Sequence, residues 1–227
     1  MKPNEEGMNQ VFIDSDLKKK CPKAALACVT VEVETGETPA ELTAELRAFA
    51  EKLLKLAEPK AVLESAPILA TRSAYKALGK DPARYRGSAE ALLRRVIAGK
   101  GLPQINSVVD VINLISAESR LPIGLYDSAH IQGDIVSRAG RPGETYKGIG
   151  KYDLNLEGLP LFADSQGPHG SPTSDSERTM VTSATKEVLA ILISFGGSPA
   201  FAKWPETMCA LLEKYAQAHH HHLLLVE

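Results

Sequence analysis

The stretch GLPQINSVVDVINLISAESRLPIGLYD, residues 101–127, decides the fold, because it predicts a buried helix followed at once by a strand. Asn106 is a suitable N-cap, and the apolar run at 108–115 that follows it is too dense for a surface helix. Beyond the helix, Pro122 favours extended backbone at the residue before it. Gly124 marks a position where another group approaches the backbone closely, either a ligand or a packed side chain.

Two polar residues interrupt this apolar helix. Asp110 and Asn113 are three residues apart and therefore lie on one helical face. Each must find a hydrogen-bond partner or leave a desolvation cost of about 1–3 kcal/mol. Two explanations stay open: these side chains tie the helix to the backbone of a neighbouring loop, or they line a pocket.

Sequence patterns on both sides of this stretch predict further strands and helices. Hydrophobic periodicity, caps and glycine or proline stops place the elements. Strands are predicted at 11–13, 29–33, 131–138, 154–156, 159–163 and 179–183, and helices at 39–57, 67–78, 88–98, 185–195 and 205–215. The polar loop 165–178 is longer than a plain hairpin needs, which is typical of a functional or mobile segment.

At 227 residues the chain is long enough to bury a full core. We expect a single globular domain over 1–218, with an N-terminal strand and helix portion at 1–60 and a core at 72–185. Residues 219–227 are predicted to be a disordered or weakly attached tail, and its run of four histidines, His219–His222, is left out of any site.

Composition favours an ordinary water-soluble protein: 44% of residues are hydrophobic, 24% are charged, and the formal net charge is −2. No apolar run approaches membrane-spanning length and no signal-type segment opens the chain, so we expect a cytoplasmic protein without membrane contact. The three cysteines show no paired spacing and are expected to be reduced. Neither a phosphate loop nor a G-x-G-x-x-G motif occurs, and the acidic residues lack metal-ligand spacing; no cofactor and no metal are expected.

One segment has a charge that the overall balance conceals. Residues 72–100 contain eight basic and two acidic side chains, a local charge of +6. Such a segment either contacts phosphate groups of a nucleic acid or simply forms the solvated faces of amphipathic helices. The basic residues that we consider for RNA contact are Arg72, Arg84, Arg86, Arg94 and Arg95.

Polar side chains collect at predicted strand ends and loops of the second half of the chain. A carboxylate beside a histidine can perform acid–base chemistry. No G-x-S-x-G elbow or triad pattern is present, which argues against a serine nucleophile. These polar side chains therefore predict a pocket that holds a small zwitterion or an ester without a cofactor.

Three segments carry a resemblance to a known family. The run NSVVDVIN at 106–113, followed by PIGLYD at 122–127, resembles the editing domain of the phenylalanyl-tRNA synthetase beta subunit, formed by its third and fourth modules. The segment RSAYKALGKDP at 72–82, followed by Arg84-Tyr85-Arg86, resembles the free-standing proteins built from that domain alone. The resemblance covers residues 72–185, about half of the chain.

The resemblance implies a mixed α/β (α+β) fold, with a barrel-like mixed β core wrapped by helices. It also implies a pocket that receives tyrosine wrongly attached to the 3′ end of tRNA and hydrolyses its ester. Such hydrolysis needs a positioned water and donors for the developing oxyanion. The positions that match the family pattern and that we assign to catalysis are Asn106, Asp127 and Asp164. The positions that we assign to the substrate pocket are Gly124, Tyr126, Asp175, Ser176 and Arg178.

The sequence departs from the synthetase pattern at two places. Gly124 stands where the synthetase has a histidine, and the glycine-rich loop after the second aspartate is replaced by residues 166–178. The Asp-Ser-x-Arg-Thr pattern that the free-standing relatives carry in this loop is present here at 175–179. Two functions therefore stay open: deacylation of a mischarged tRNA, with the 3′ aminoacyl end as partner, or binding of a free amino acid or similar small molecule without catalysis. A complete tRNA ligase is excluded by length and by the missing ATP site, and the oligomeric state is left open.

Overall fold

The computed structural model describes residues 9–150 and 153–227, and it confirms a mixed α/β fold. The helices are α1 (Ser15–Lys20), α2 (Ala40–Leu54), α3 (Ala66–Ala77), α4 (Ser88–Ile97), α5 (Ser107–Ser119) and α6 (Trp204–Ala216). The strands are β1 (Val11–Ile13), β2 (Ala25–Glu32), β3 (Ile123–Asp127), β4 (Ile135–Ala139), β5 (Thr145–Lys147), β6 (Asp153–Asn155), β7 (Pro160–Asp164), β8 (Gly167–Gly170), β9 (Glu187–Ser194) and β10 (His219–Val226).

The stretch at 101–127 folds as its sequence predicts. The Asn106 side chain caps α5 by accepting a hydrogen bond from the Val109 amide at 2.9 Å. Arg120 ends the helix in the left-handed conformation, with φ at 64°, and β3 begins three residues later. Because α5 is buried among α2, α4 and α6, the burial of each large aliphatic side chain contributes about 1.5–3 kcal/mol.

Asp110 in the middle of α5 is fully buried and has two partners in the loops that precede helices. Its carboxylate accepts hydrogen bonds from the Thr38 hydroxyl at 2.6 Å and from the Ile105 amide at 2.9 Å. Burial raises the pKa of this carboxyl in spite of those bonds. The first explanation, that this position ties the helix to neighbouring loops, is confirmed.

Two four-stranded sheets form the β core. The main sheet has the order β10-β2-β9-β3 and is antiparallel throughout, while the second has the order β1-β4-β7-β8 with a parallel β1-β4 pair. Side chains of both sheets meet in one apolar cluster that includes Tyr126 and Ile191 from the main sheet and Ile135 and Phe162 from the second. The expected barrel-like core thus consists of two sheets packed face to face, each open in its strand order.

Three predictions of secondary structure are wrong. The segment predicted as a helix at 185–195 is strand β9 in the middle of the main sheet. All of its residues after Glu187 are buried, and a strand buried on both faces has the same continuous apolar sequence as a buried helix. The strand predicted at 179–183 is replaced by a 3-10 turn, Glu177–Thr179, and irregular backbone.

The third error concerns the C-terminal segment. Residues predicted to be a disordered tail form β10, which pairs antiparallel with β2 from His219 to Val226. Propensity alone did not identify this strand, because its stability comes from hydrogen bonds to a partner far away in sequence. Among the described residues, no helix combines the length and the apolar character needed to cross a bilayer.

Candidate functional site

A polar cluster lies beside the C-terminal end of β3, and we call it the polar edge. Its members are Asp127, His130, Asp164, Arg178 and Thr185. Asp127 is buried, and one of its carboxylate oxygens accepts a hydrogen bond from the Thr185 hydroxyl at 2.6 Å. The other oxygen accepts from the Ala129 amide at 3.0 Å and so caps a short 3-10 turn. The orientation of this carboxylate is therefore fixed from two sides.

The sequence analysis missed two polar-edge residues, Thr185 and His130, and of these His130 is the one that could transfer a proton. Its Nδ1 lies 3.4 Å from the carboxylate of Asp127, three residues earlier in the same turn, and its side chain is 56% exposed. The geometry therefore pairs a buried carboxylate with an accessible imidazole. The signal in the sequence was the spacing Asp-x-x-His directly after a strand.

Asp164 and Arg178 form a two-pronged ion pair beside the histidine. Both guanidinium Nη atoms donate to the Asp164 carboxylate, at 2.9 and 3.0 Å, and the backbone amides of Gln132 and Gln166 donate to it as well, each at 2.9 Å. Burial by itself raises the pKa of this carboxyl, but these donors outweigh burial and hold the pKa below its usual value. A carboxylate so occupied is suited to holding the site together and not to accepting a proton.

Arg178 also fastens the backbone around the site. Its Nη atoms donate to the carbonyl oxygen of His130 at 2.9 Å and to that of Gly167 at 3.2 Å. With the two bonds to Asp164, four guanidinium hydrogens are in use. Arg178 therefore joins the loop after β3 to the β7-β8 hairpin and fixes the backbone that carries the imidazole.

Asn106 reaches the same end of the main sheet through a series of contacts. The next residue, Ser107, exchanges hydrogen bonds with Gly36 at 2.9 and 3.2 Å. Beside it, the Thr35 hydroxyl donates to the carbonyl of Thr185, the same residue whose hydroxyl holds Asp127. The Asn106 side chain itself is engaged in capping α5, so its observed role is to fix the start of that helix.

Gly124 and Tyr126, predicted to line a substrate pocket, form a packed unit beneath the polar edge. The tyrosine ring is fully buried and passes over the backbones of Gly124 and Gly170. A methyl group at either glycine would lie 2.1 Å from the tyrosine hydroxyl. Of the two explanations for Gly124, a close ligand or a packed side chain, the structure supports packing.

His169 on β8 lies against the same tyrosine. Its ring is fully buried, 4.6 Å from the Tyr126 ring centroid in an edge-on arrangement. Neither ring nitrogen has a hydrogen-bond partner among the described residues. Burial lowers the pKa of this imidazole to about 4, so His169 is neutral at pH 7.

Asp175 and Ser176 bind the polar loop to the strands beside it. A carboxylate oxygen of Asp175 accepts from the Leu125 amide of β3 at 3.3 Å. Ser176 donates its amide to the His169 carbonyl at 2.9 Å, and its hydroxyl accepts from the Arg178 amide. The loop at 165–178, expected to be functional or mobile, thus contains β8 and is bonded to β3 and β8.

The five arginines considered for RNA contact divide into two groups. Arg72 and Arg94 both donate to Glu90, a buried carboxylate, at 2.7–3.0 Å, and Arg72 also pairs with Glu64 at 3.2 Å. Their charges therefore balance a carboxylate that would otherwise be buried without a counter-ion. The guanidinium groups at 84, 86 and 95 are exposed and enter no ion pair within the described ranges.

The loop that carries Arg84 and Arg86 lies against the site-bearing half of the molecule. Ser88, two residues beyond Arg86, donates its amide to the Pro172 carbonyl at 2.7 Å, and its hydroxyl accepts from the Ile123 amide at 3.4 Å. Ile123 begins β3, whose last residue belongs to the polar edge. Four residues of strand span about 13 Å, which is the length of β3 between the residue bonded to Ser88 and the polar edge.

A cavity of about 580 Å³ lies near the C-terminal end of α5, the end away from Asn106. Apolar groups such as Phe49, Leu114 and Trp204 line it together with charged groups of both signs, among them Glu118 and Lys203. This arrangement suits a small molecule that is partly apolar and carries both charges.

Comparison with known proteins finds one domain family and relatives that share the same name. The B3/4 domain family matches residues 70–198, which extends past the 72–185 range inferred from the sequence and takes in β9. The phenylalanine–tRNA ligase beta subunit of Paramagnetospirillum magneticum is 32% identical over 104 residues, covering 45% of this chain and 13% of that protein. The corresponding subunit of Brucella abortus is 32% identical over 69 residues, covering 30% of this chain and 9% of its own length.

Among solved structures, an N-terminal fragment of the phenylalanyl-tRNA synthetase beta subunit from Pyrococcus horikoshii matches with a TM-score of 0.48 and 16% identity, covering 96% of this chain and 50% of that fragment. The resemblance to the synthetase beta subunit is confirmed, over a small share of the length of the relatives. The chain belongs to the B3/4 domain family.

Proposed function

We propose that this B3/4 domain is an editing-type domain, which binds the aminoacyl end of tRNA and hydrolyses the ester of a wrongly attached amino acid in the cytoplasm. The observation that carries the proposal is the pair at the polar edge, an exposed imidazole at His130 held against the buried carboxylate of Asp127. We infer a tRNA substrate from the relatives, which are named as beta subunits of phenylalanine–tRNA ligase.

The pair accounts for the proton transfers of ester hydrolysis. In the proposed reaction, Asp127 accepts a hydrogen bond from Nδ1–H of His130, which leaves Nε2 free to take a proton from water. The hydroxide formed attacks the ester carbonyl, and the bond to the ribose oxygen breaks. The imidazolium returns its proton to that oxygen, so the products are the free amino acid and an uncharged tRNA end. Asp127 acts here as a positioning residue.

The other residues first assigned to catalysis have supporting roles in this proposal. Asp164 acts through Arg178, whose bond to the His130 carbonyl sets the position of the imidazole. Asn106 fixes the start of α5 at the same end of the sheet. Both are therefore positioning residues, whose replacement displaces the histidine instead of removing the reacting group.

For RNA contact we propose the exposed arginines at 84, 86 and 95, with Arg72 and Arg94 supporting them by holding Glu90. An exposed guanidinium can exchange counterions for a phosphate group at little desolvation cost. A single-stranded tRNA end a few nucleotides long can span about 13 Å, the length of β3 that separates Ser88, two residues beyond Arg86, from the polar edge.

We also propose that the N-terminal portion and the core act as one domain, which takes in the C-terminal strand β10 as well. β2, from the N-terminal portion, lies between β9 and β10 in the main sheet, so separating the portions would break that sheet.

The test is deacylation of mischarged tRNAs, beginning with tyrosine on the phenylalanine tRNA. The wild type is compared with His130→Ala and with Gln132→Ala, an exposed neighbour whose side chain has no role in the proposal. We expect hydrolysis by the wild type and the control, and a loss of about 10²–10⁴-fold in His130→Ala. A wild type that cleaves no mischarged tRNA above the spontaneous rate would rule out the deacylase.

A second candidate function, binding of a free amino acid or similar small molecule, is favoured by the cavity beside α5. Trp204 lines that cavity and is the one tryptophan of the chain, so its fluorescence reports directly on occupancy. Titration with free amino acids should change the emission and saturate if this function holds. A saturable signal together with no deacylation would favour the binding module. Deacylation without a saturable signal would favour the editing domain.

A further inference from the structure

A cluster of two histidines and one glutamate lies where β10 begins and β2 ends, on the opposite edge of the main sheet from β3. His219 Nε2 is 3.1 Å from one carboxylate oxygen of Glu32, and His220 Nδ1 is 3.3 Å from the other. The three ligand atoms all lie within 4.8 Å of one another. All three side chains are at least 46% exposed, so ions in solution can reach them.

The backbone is irregular where it presents these histidines. In a regular strand, successive side chains point to opposite faces, so neighbours at 219 and 220 would not share a partner. Here the pairing of β10 with β2 shifts between His219 and His222, and His220 has a φ of 51°, a conformation that non-glycine residues seldom adopt. This bulge turns both rings towards one carboxylate.

His219 carries a further feature of metal-binding histidines. Its Nδ1 lies 3.1 Å from the Gln217 carbonyl oxygen, so that nitrogen donates to the backbone while Nε2 faces Glu32. Histidine ligands commonly fix their tautomer and ring orientation through such a bond from the second nitrogen. Gln217, which carries that carbonyl, ends α6 in the left-handed conformation.

We propose that Glu32, His219 and His220 bind a divalent transition-metal ion of the zinc class. Ligand atoms about 2.1 Å from a tetrahedral ion lie about 3.4 Å apart, and the three ligand atoms here, one from each residue, already lie within 4.8 Å of one another. Two imidazoles and one carboxylate fill three positions, and water takes the fourth. The ion joins the end of β2 to the start of β10, so its function is to secure the C-terminal strand to the main sheet. The proposal is independent of the editing function.

The test is calorimetric titration of the full chain with zinc chloride, using variants in matched pairs. Glu32→Gln and His220→Ala remove ligands, whereas Glu213→Gln and His222→Ala remove a glutamate and a histidine of the same region outside the cluster. We expect one ion per chain in the wild type and in both controls, and affinity at least about tenfold weaker in both ligand variants. Hydrogen exchange should slow along β10 when zinc is added to the wild type.

Three results would overturn the proposal. Zinc affinity unchanged by Glu32→Gln would mean that the histidine run binds ions by itself, without a built site. An equal loss in His222→Ala and His220→Ala would lead to the same conclusion. Absence of binding by the wild type at zinc concentrations of about 100 µM would leave the cluster as ordinary carboxylate–imidazole contacts, since structural zinc sites bind the ion far more tightly than that.

Discussion

Replacement of Arg178 by methionine should destabilise the protein strongly, because it removes the counter-ion of a buried carboxylate. The Asp164 side chain has no solvent exposure, and two of its four hydrogen bonds come from this guanidinium. Breaking a buried ion pair from one side costs about 3–5 kcal/mol. The carbonyls of His130 and Gly167 lose a donor as well. Since domains are stable by about 5–15 kcal/mol, this change is a large fraction of the total.

The measurement is urea denaturation at pH 7, followed by Trp204 fluorescence and by circular dichroism. Lys19→Met is the matched control, because its pair with Asp16 is exposed on both sides, and it should unfold at the wild-type urea midpoint. The pH dependence provides a second check. The lowered pKa of Asp164 means that the ion pair stabilises the fold above the ordinary value of 3.8, and that this contribution disappears as the pH falls through the folded-state pKa.

The difference between wild type and Arg178→Met should therefore narrow in acid, where Asp164 is protonated and needs no counter-ion. A variant within about 1 kcal/mol of the wild type at pH 7 would refute the reasoning, because it would place the pair in the range of exposed salt bridges. A difference that stays constant down to pH 3 would show that the lost stability comes from the two carbonyl bonds and not from the carboxylate.

Three further predictions concern packing, protonation and RNA contact. Gly124→Ala should cost about 1–3 kcal/mol in thermal or urea unfolding, because its methyl group would overlap the tyrosine hydroxyl, whereas Gly36→Ala, with open space around it, should be neutral. Burial lowers the pKa of His169 to about 4 from an ordinary 6.5, so the unfolded chain takes up the proton first as the pH falls. The contribution of His169 to stability should therefore be full above pH 6.5 and should fall by about 3 kcal/mol as the pH approaches 4. His169→Phe should lack this pH dependence in urea titrations over that range. Arg86→Ala should weaken tRNA binding and lower the salt slope of the affinity by about 0.7–0.9, with no change in stability. Arg72→Ala should lower the urea midpoint, because it removes a counter-ion from the buried carboxylate of Glu90. Equal stability of the two variants would contradict the division of the arginines into two groups.

Elements whose signals are local could be predicted from the sequence. The cap at Asn106, the apolar run after it and the restricted residue before Pro122 predicted α5 and β3, and both are present at those positions. The helix predicted at 39–57 from its apolar stripe is present as α2, Ala40–Leu54. In each case the information lies within one or two turns of chain, so no distant partner is needed to read it.

The tertiary structure alone decided the features that depend on distant partners. β9 has an apolar sequence compatible with helix or strand, and the hydrogen bonds of β2 and β3 on its two sides select the strand. β10 exists because β2 offers it an edge, and the histidines at its start meet a glutamate 187 residues earlier in the chain only because of that pairing and its bulge. The same holds for Glu90, which binds two arginines from two helices, and for Asp164, whose partner Arg178 lies in the 3-10 turn beyond β8. Spacing in sequence identifies side chains that can react, but the burial and pairing that fix their protonation and direction are set by contacts between distant segments.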